Sequence, residues 1–291
     1  MRKNYPLYPP TLEIRKIVKL IRESINLISD GLEFTNPWSD RRMNQMLSEI
    51  VYLFCYQVEQ FEGILCIAES NLYLYPSAFV ICRTFLETNI LIEWLLQPDE
   101  EDERIVRYIR YLNSQLDYID NHTNDIFNSN FPISQREEIH YNKDAIIKDI
   151  NSMKAAAINH GIREENIPSL TSKIPSITGD KGILNQIMPL NKRIDLKIAY
   201  YNLSKFSHGM RQSIYRYLDP KFEQEDPVNN WHYPLAVFTH TFSSINQLIK
   251  RFGNDTKDNL ISSLSSDLTP ILLEFKMLMV EVFEIDEADL L

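Results

Sequence analysis

Glycine is scarce in this chain, with 7 in 291 residues, where average usage of roughly 7% would give about 20. Folds that turn often need glycine wherever φ is positive, so the deficit argues against hairpin-rich sandwiches, barrels and glycine-lined nucleotide cradles. Neither G-x-x-x-x-G-K-[ST] nor G-x-G-x-x-G occurs, which removes the P-loop and dinucleotide readings. Cysteine is sparse as well. Cys55, Cys66 and Cys82 are odd in number, lack metal-ligand spacing and fall in apolar stretches, the pattern of reduced core thiols in a cytoplasmic protein.

An excess of positive charge is missing too, since 30 Lys+Arg stand against 40 Asp+Glu for a formal −10. No global field draws the chain to phosphate backbones, so a nucleic-acid site has to be a local basic pocket. Uninterrupted apolar runs are absent. Arg83, Glu87 and Glu93 break the stretch from Ala78 to Leu96, and Glu274, Lys276 and Glu281 break the one from Leu268 to Phe283, so no membrane partner is expected. The N-terminus MRKNYPLYPP has charges with no apolar stretch behind them, unlike a signal peptide. His122, His160, His232 and His240 show no zinc spacing, and Glu137-x-x-His140 is half of a di-iron motif with no second copy. Neither a metal nor a cofactor is expected.

What is present is helical periodicity. Pro9, Pro10 and Thr11 precede a helix that carries Ile14, Ile17, Val18, Ile21, Ile25 and Ile28 and ends at Asp30-Gly31. A long helix is predicted over 39–75 and a third, apolar nearly all round, over 77–96 after Pro76. The acidic run DEEDE then opens a fourth, where negative charge suits a helix N-terminus. This helix is expected to bury Ile105, Ile109, Leu112, Leu116 and Ile119 and to turn Arg104, Arg107, Tyr108 and Tyr111 to another face. A fifth runs over 134–159 and stops at His160-Gly161. Residues 162–189 lose the period among Pro168, Pro175, Gly179, Gly182 and Pro189, a long connection of the kind that serves as a lid or binding loop. Further helices follow over 192–218, 231–252 and 259–284. The fold class is therefore all-α, a multi-helix bundle of about eight long helices. It is read as one helical domain over 1–291, with core helices over 39–217 and the N- and C-terminal helices packed on them; two intimately packed helical halves also fit the length.

Two groups of residues could carry chemistry. Arg83 and Glu87 lie four apart on the most apolar helix, where an unpaired charge is costly. They form either a structural ion pair or an anion site in which Glu87 orients the arginine. Downstream, Tyr201, Ser204 and His208 share a face of a later helix, and Gly209 follows. His208 is the best general acid or base in the chain, the alternative being a core histidine bonded to a helix carbonyl. No triad spacing supports Ser204 as a nucleophile. The Arg104, Arg107, Tyr108 and Tyr111 face would suit phosphate and a stacked base, or would be a solvated face that neutralises the acidic run.

These residues carry a resemblance. Ser77-Ala78 followed by Arg83 and Glu87, then Trp94-Leu95, then Arg107-Tyr108, and far downstream Leu203-Ser204-x-x-Ser207-His208, resemble a group of bacterial helical proteins of unknown function. That group is in turn similar to the HEPN superfamily, helical bundles of toxin–antitoxin and phage-defence systems, many of them dimeric, metal-independent ribonucleases. The resemblance implies a HEPN-like core with added helices, RNA or a nucleotide as ligand, a homodimer and a cognate antitoxin or defence partner. It implies His208 as the proton-transfer group with Arg83 and Glu87 beside it, and Arg107, Tyr108, Tyr111, Tyr201 and Ser204 as substrate-binding residues. The superfamily pattern places an arginine ahead of the histidine on the same helix with four to six residues between them; here those positions, 201–203, are Tyr, Asn and Leu, and the cation has to come from another helix, Arg83 or Arg107. The competing reading is a non-catalytic helical module that binds a ligand or another protein.

Overall fold

The structure is a computed structural model. It describes residues 9–20, 22–23, 41–127, 133–187, 190–207, 230–231, 234, 237 and 259–283, and the described residues are helical or in turns and connections, with no strand among them. The chain divides into two compact units, Met1–Ser39 with Leu47–Glu93 and Met188–Leu291, and Asp40–Met46 with Trp94–Ile187.

In the first unit, Thr11 caps a helix α1 that is described over 12–20: its Oγ1 accepts the Ile14 N–H at 3.3 Å, satisfying one of the orphan donors of a first turn. Ile14, Ile17 and Val18 are buried as their spacing predicts. Arg22 reaches from this segment to Glu69 in a two-point contact at 2.9 Å. Helix α2, Arg41–Ser70, ends in a short 3₁₀ turn, Leu72–Leu74, and α3, Tyr75–Leu96, follows at once. Pro76 stands inside the first turn of α3, where a missing N–H removes no intrahelical bond. The pairing of α2 with α3 is apolar at Phe61 and Phe85, whose rings meet edge to face with centroids 4.0 Å apart. Beside them, Gln57 Nε2 donates to the Phe85 carbonyl at 3.3 Å. Trp231, fully buried, donates its indole N–H to the Leu72 carbonyl at 2.8 Å. The thiol of Cys82 is enclosed, and burial raises its pKa far above the usual thiol value, as expected of an inert core cysteine. Helices α7, Leu190–Ser207, and α8, Asn259–Phe283, also belong to this unit.

The second unit is built on a hairpin of α4, Glu101–Phe127, and α5, Ile133–Asn159, clasped by Lys143 on Asp120 at 2.6 Å. Glu101, Asp102 and Glu103 occupy the first turn of α4, as the macrodipole favours. At the far end Gly161 adopts φ +89° and closes α5: its N–H donates to Ile158 O at 2.9 Å and the Ile162 N–H to Ala157 O at 3.1 Å.

The connection after Gly161 is tied down along α4. Asn113 Nδ2 donates to the carbonyls of Ser169 and Ser172 at 2.8 and 3.0 Å, Ser114 Oγ accepts the Ile174 N–H at 2.9 Å, and Lys173 meets Asp117 at 2.5 Å. The segment closes on a turn at Gly182, where a Cβ would come within 2.7 Å of the backbone of Gly179 and Ser176. The short helix α6, Ile183–Ile187, ends the unit.

Candidate functional site

Arg83 and Glu87 face the same side of α3, one turn apart, and the ion pair is made: Arg83 Nε donates to Glu87 Oε1 at 3.0 Å. A third residue, Tyr200 of α7, locks it. Arg83 Nη2 donates to the Tyr200 hydroxyl at 3.1 Å, and that hydroxyl donates onward to Glu87 Oε1 at 2.8 Å. The guanidinium carbon also lies 5.3 Å from the centre of the Tyr200 ring, a cation–π contact. The side chains of Arg83 and Glu87 are 18% and 30% exposed, so the cluster opens to solvent without being bathed in it.

Its electrostatics follow from that half-burial. Burial first, then the hydrogen bond to Glu87 and its negative charge, push the Tyr200 phenol above its ordinary pKa, with Arg83 pulling the other way. For Arg83, burial alone would lower the pKa, but the Tyr200 hydrogen bond and the charge of Glu87 outweigh it and hold the guanidinium above its usual value. A protonated phenol therefore sits between a fixed cation and a fixed anion, and the arginine is oriented rather than free to swing.

Ser204, one turn after Tyr200, is buried and donates its hydroxyl to the Tyr200 carbonyl at 2.6 Å, which bends its proton back into the helix. Tyr201, expected on the site face, is instead 56% exposed; Tyr200 is the tyrosine that reaches Arg83. His208 and Gly209 lie outside the described residues.

Arg107, Tyr108 and Tyr111 belong to the second unit and form a group of their own. The expected separation between the apolar face of α4 and an Arg/Tyr face does not occur. Tyr108 and Tyr111 are 1% and 4% exposed, stacked with centroids 5.9 Å apart, and Arg104 is buried as well. Rings enclosed in a core present no face to a base, because phenyl area is worth more buried than solvated. Arg107 is held by its own helix and by the end of α3: Nη2 meets Glu103 at 2.6 Å, Nη1 donates to the Trp94 carbonyl at 2.6 Å, and the guanidinium lies 5.2 Å from the Trp94 ring centre. It thereby satisfies an orphan carbonyl in the last turn of α3. Trp94 in turn donates to Gln186 of α6 at 2.9 Å.

Two residues stand out only in three dimensions. Tyr200 is one: it sits four residues before Ser204 and eight before His208, a closer match to the helical repeat than Tyr201, and that spacing was the available signal. Arg110 is the other, the third arginine of a ladder at 104, 107 and 110. Among the described residues no group of His, Cys, Asp and Glu is arranged to hold a metal ion, and no described helix is long and apolar enough to cross a membrane.

The model of a family of unknown function, DUF5677, matches residues 49–226. The chain belongs to that family. The matched region takes in α3, α4, α5 and α7, and with them the whole Arg83–Glu87–Tyr200 cluster. No curated protein and no solved structure matches the chain.

Proposed function

We propose that this DUF5677 protein acts on RNA or a nucleotide at the Arg83–Glu87–Tyr200 cluster, as a HEPN-like, metal-independent ribonuclease of bacterial defence or toxin type. The observation that carries the reading is the oriented, partly exposed guanidinium of Arg83, held by a tyrosine on the helix that leads in sequence to His208. In this reading His208 takes the 2′-hydroxyl proton as O2′ attacks phosphorus, the P–O5′ bond breaks to leave a 2′,3′-cyclic phosphate, the departing 5′-oxygen takes up a proton from water, and Arg83 stabilises the charge that builds on the phosphoryl oxygens. Glu87 and Tyr200 do not touch substrate; they hold the arginine in place. Function as a homodimer with a cognate defence partner belongs to the same reading. Purified protein incubated with total RNA in chelator should cleave it, and His208→Ala should lower the rate by at least about a hundredfold, the usual scale of general acid–base catalysis. Absence of cleavage in both refutes the enzymatic reading.

A second reading is favoured by one specific observation: the contacts described for Arg83 are internal ones, to Glu87 and Tyr200. On that view the cluster is a clasp between α3 and α7 in a non-catalytic ligand-binding or protein-interaction module. Glu87→Ala would then lower stability and leave RNA untouched.

A further inference from the structure

Helix α8, Asn259–Phe283, has one side sealed and the other bare. Met279 is fully buried, whereas Leu273 and Met277, across the helix from it, are 59% and 66% exposed, and Pro270, one turn earlier, is exposed as well. A single exposed leucine is ordinary on a protein surface. Three apolar residues spaced three and four apart line up instead into a stripe about two turns long.

Charge is arranged along that stripe rather than scattered over it. Asp267, Glu274 and Glu281 recur every seven residues, which sets them in a row on one edge, and all three are exposed. Among the described residues none of the three carboxylates has an ion-pair partner. Lys276 stands on the opposite edge.

These charges decide what fits. A second copy of the chain would bring the same three acids and one lysine to the contact, so acids would outnumber cations three to one whichever way the helices ran. An anionic membrane surface would repel the acidic row. A helix that carries Lys or Arg along the edge of its own apolar stripe satisfies both features at once, apolar surface on apolar surface and cations on the row. The chain's formal charge of −10 draws such a partner in.

We propose that the exposed face of α8 docks a cationic amphipathic helix of a partner protein, its apolar stripe seated on Pro270, Leu273 and Met277 and its Lys or Arg edge paired with Asp267, Glu274 and Glu281. The helix lies outside residues 49–226, the part of the chain that the family model matches, and the contact does not depend on the RNA reading.

The probe is a synthetic helix of about 18 residues with leucine on one face and lysine along both edges, beside a twin that carries glutamate for lysine. Fluorescence anisotropy with the full chain should show the lysine peptide binding at least about tenfold more tightly than its twin. Leu273→Ser with Met277→Ser leaves the charge unchanged and should weaken the lysine peptide at least about tenfold. Glu274→Lys with Glu281→Lys should do the same through charge. All four positions are exposed, so the melting temperature should stay near the wild-type value, which separates a lost contact from a lost fold. A wild type that does not bind the lysine peptide overturns the proposal. Equal binding by the wild type and the Leu273→Ser, Met277→Ser variant overturns it too, because the attraction is then one of charge alone. Self-association of the wild type that this variant abolishes assigns the face to a second copy and likewise overturns the proposal.

Discussion

The Tyr200 hydroxyl donates to Glu87 at 2.8 Å while it accepts from Arg83 at 3.1 Å, so a neutral phenol joins an i,i+4 ion pair on one helix to a second helix. Charge-assisted hydrogen bonds of this kind are stronger than neutral ones, and their half-burial limits competition from water. The cluster explains how α3, mostly buried along its length, tolerates two charges near its middle.

Tyr200→Phe should test the link directly. Losing the hydroxyl removes both bonds and should lower stability by about 1–2 kcal/mol in denaturant titration at pH 7. The pH dependence has a definite sign. The phenol is raised in the folded state, so its contribution is fully present below the ordinary tyrosine pKa and is lost as pH rises through the folded value. Wild-type stability should therefore carry an alkaline loss above about pH 10, part of which Tyr200→Phe lacks.

Glu87→Ala should be worse than removing both charges. The single change takes the carboxylate away from the half-buried Arg83, whereas Arg83→Met with Glu87→Leu removes the mismatch. A double-mutant cycle on melting should return a coupling of about 1 kcal/mol, reduced from a fully buried pair by the remaining exposure of both side chains. A coupling near zero would mean the pair is an incidental surface contact.

Two glycines separate space from backbone conformation. Gly182→Ala forces a Cβ within 2.7 Å of backbone atoms that cannot yield as a side chain would, and should destabilise by more than about 2 kcal/mol. Gly161→Ala meets nothing within 4 Å and suffers only from its φ of +89°. Its loss should stay near 1 kcal/mol, with thermal melting ranking the two.

Ser114→Ala should loosen the connection after α5, since it removes the acceptor of the Ile174 N–H. Hydrogen exchange should speed up at Ile174 before it does in α4 or α5. Unchanged protection there would show that Asn113 and the Lys173–Asp117 pair suffice alone.

Much of this fold is legible in sequence because its punctuation is local. Thr11 as a cap, Pro76 in a first turn, the acidic opening of α4 and Gly161 at the end of α5 each act on their own backbone, and the structure shows them doing so. What resists is rotation about a helix axis. Tyr200 and Tyr201 are equivalent by composition; spacing favours Tyr200 slightly, and the packing of α7 on α3 decides which one meets Arg83. The same holds for Tyr108 and Tyr111, whose hydroxyls suggest a surface and whose rings fill a core. The division between Glu93 and Trp94 falls inside one continuous helix, where no change of composition marks it.

The central proposal is that Arg83 and His208 act together on a phosphodiester, and metal-free RNA cleavage measured across four chains tests it most directly: wild type, His208→Ala, Arg83→Gln and Tyr200→Phe. The proposal predicts cleavage by wild type, its loss in His208→Ala and Arg83→Gln, and a reduced rate in Tyr200→Phe with all four chains folded. Cleavage that survives both His208→Ala and Arg83→Gln, or a wild type that leaves RNA intact, would contradict it.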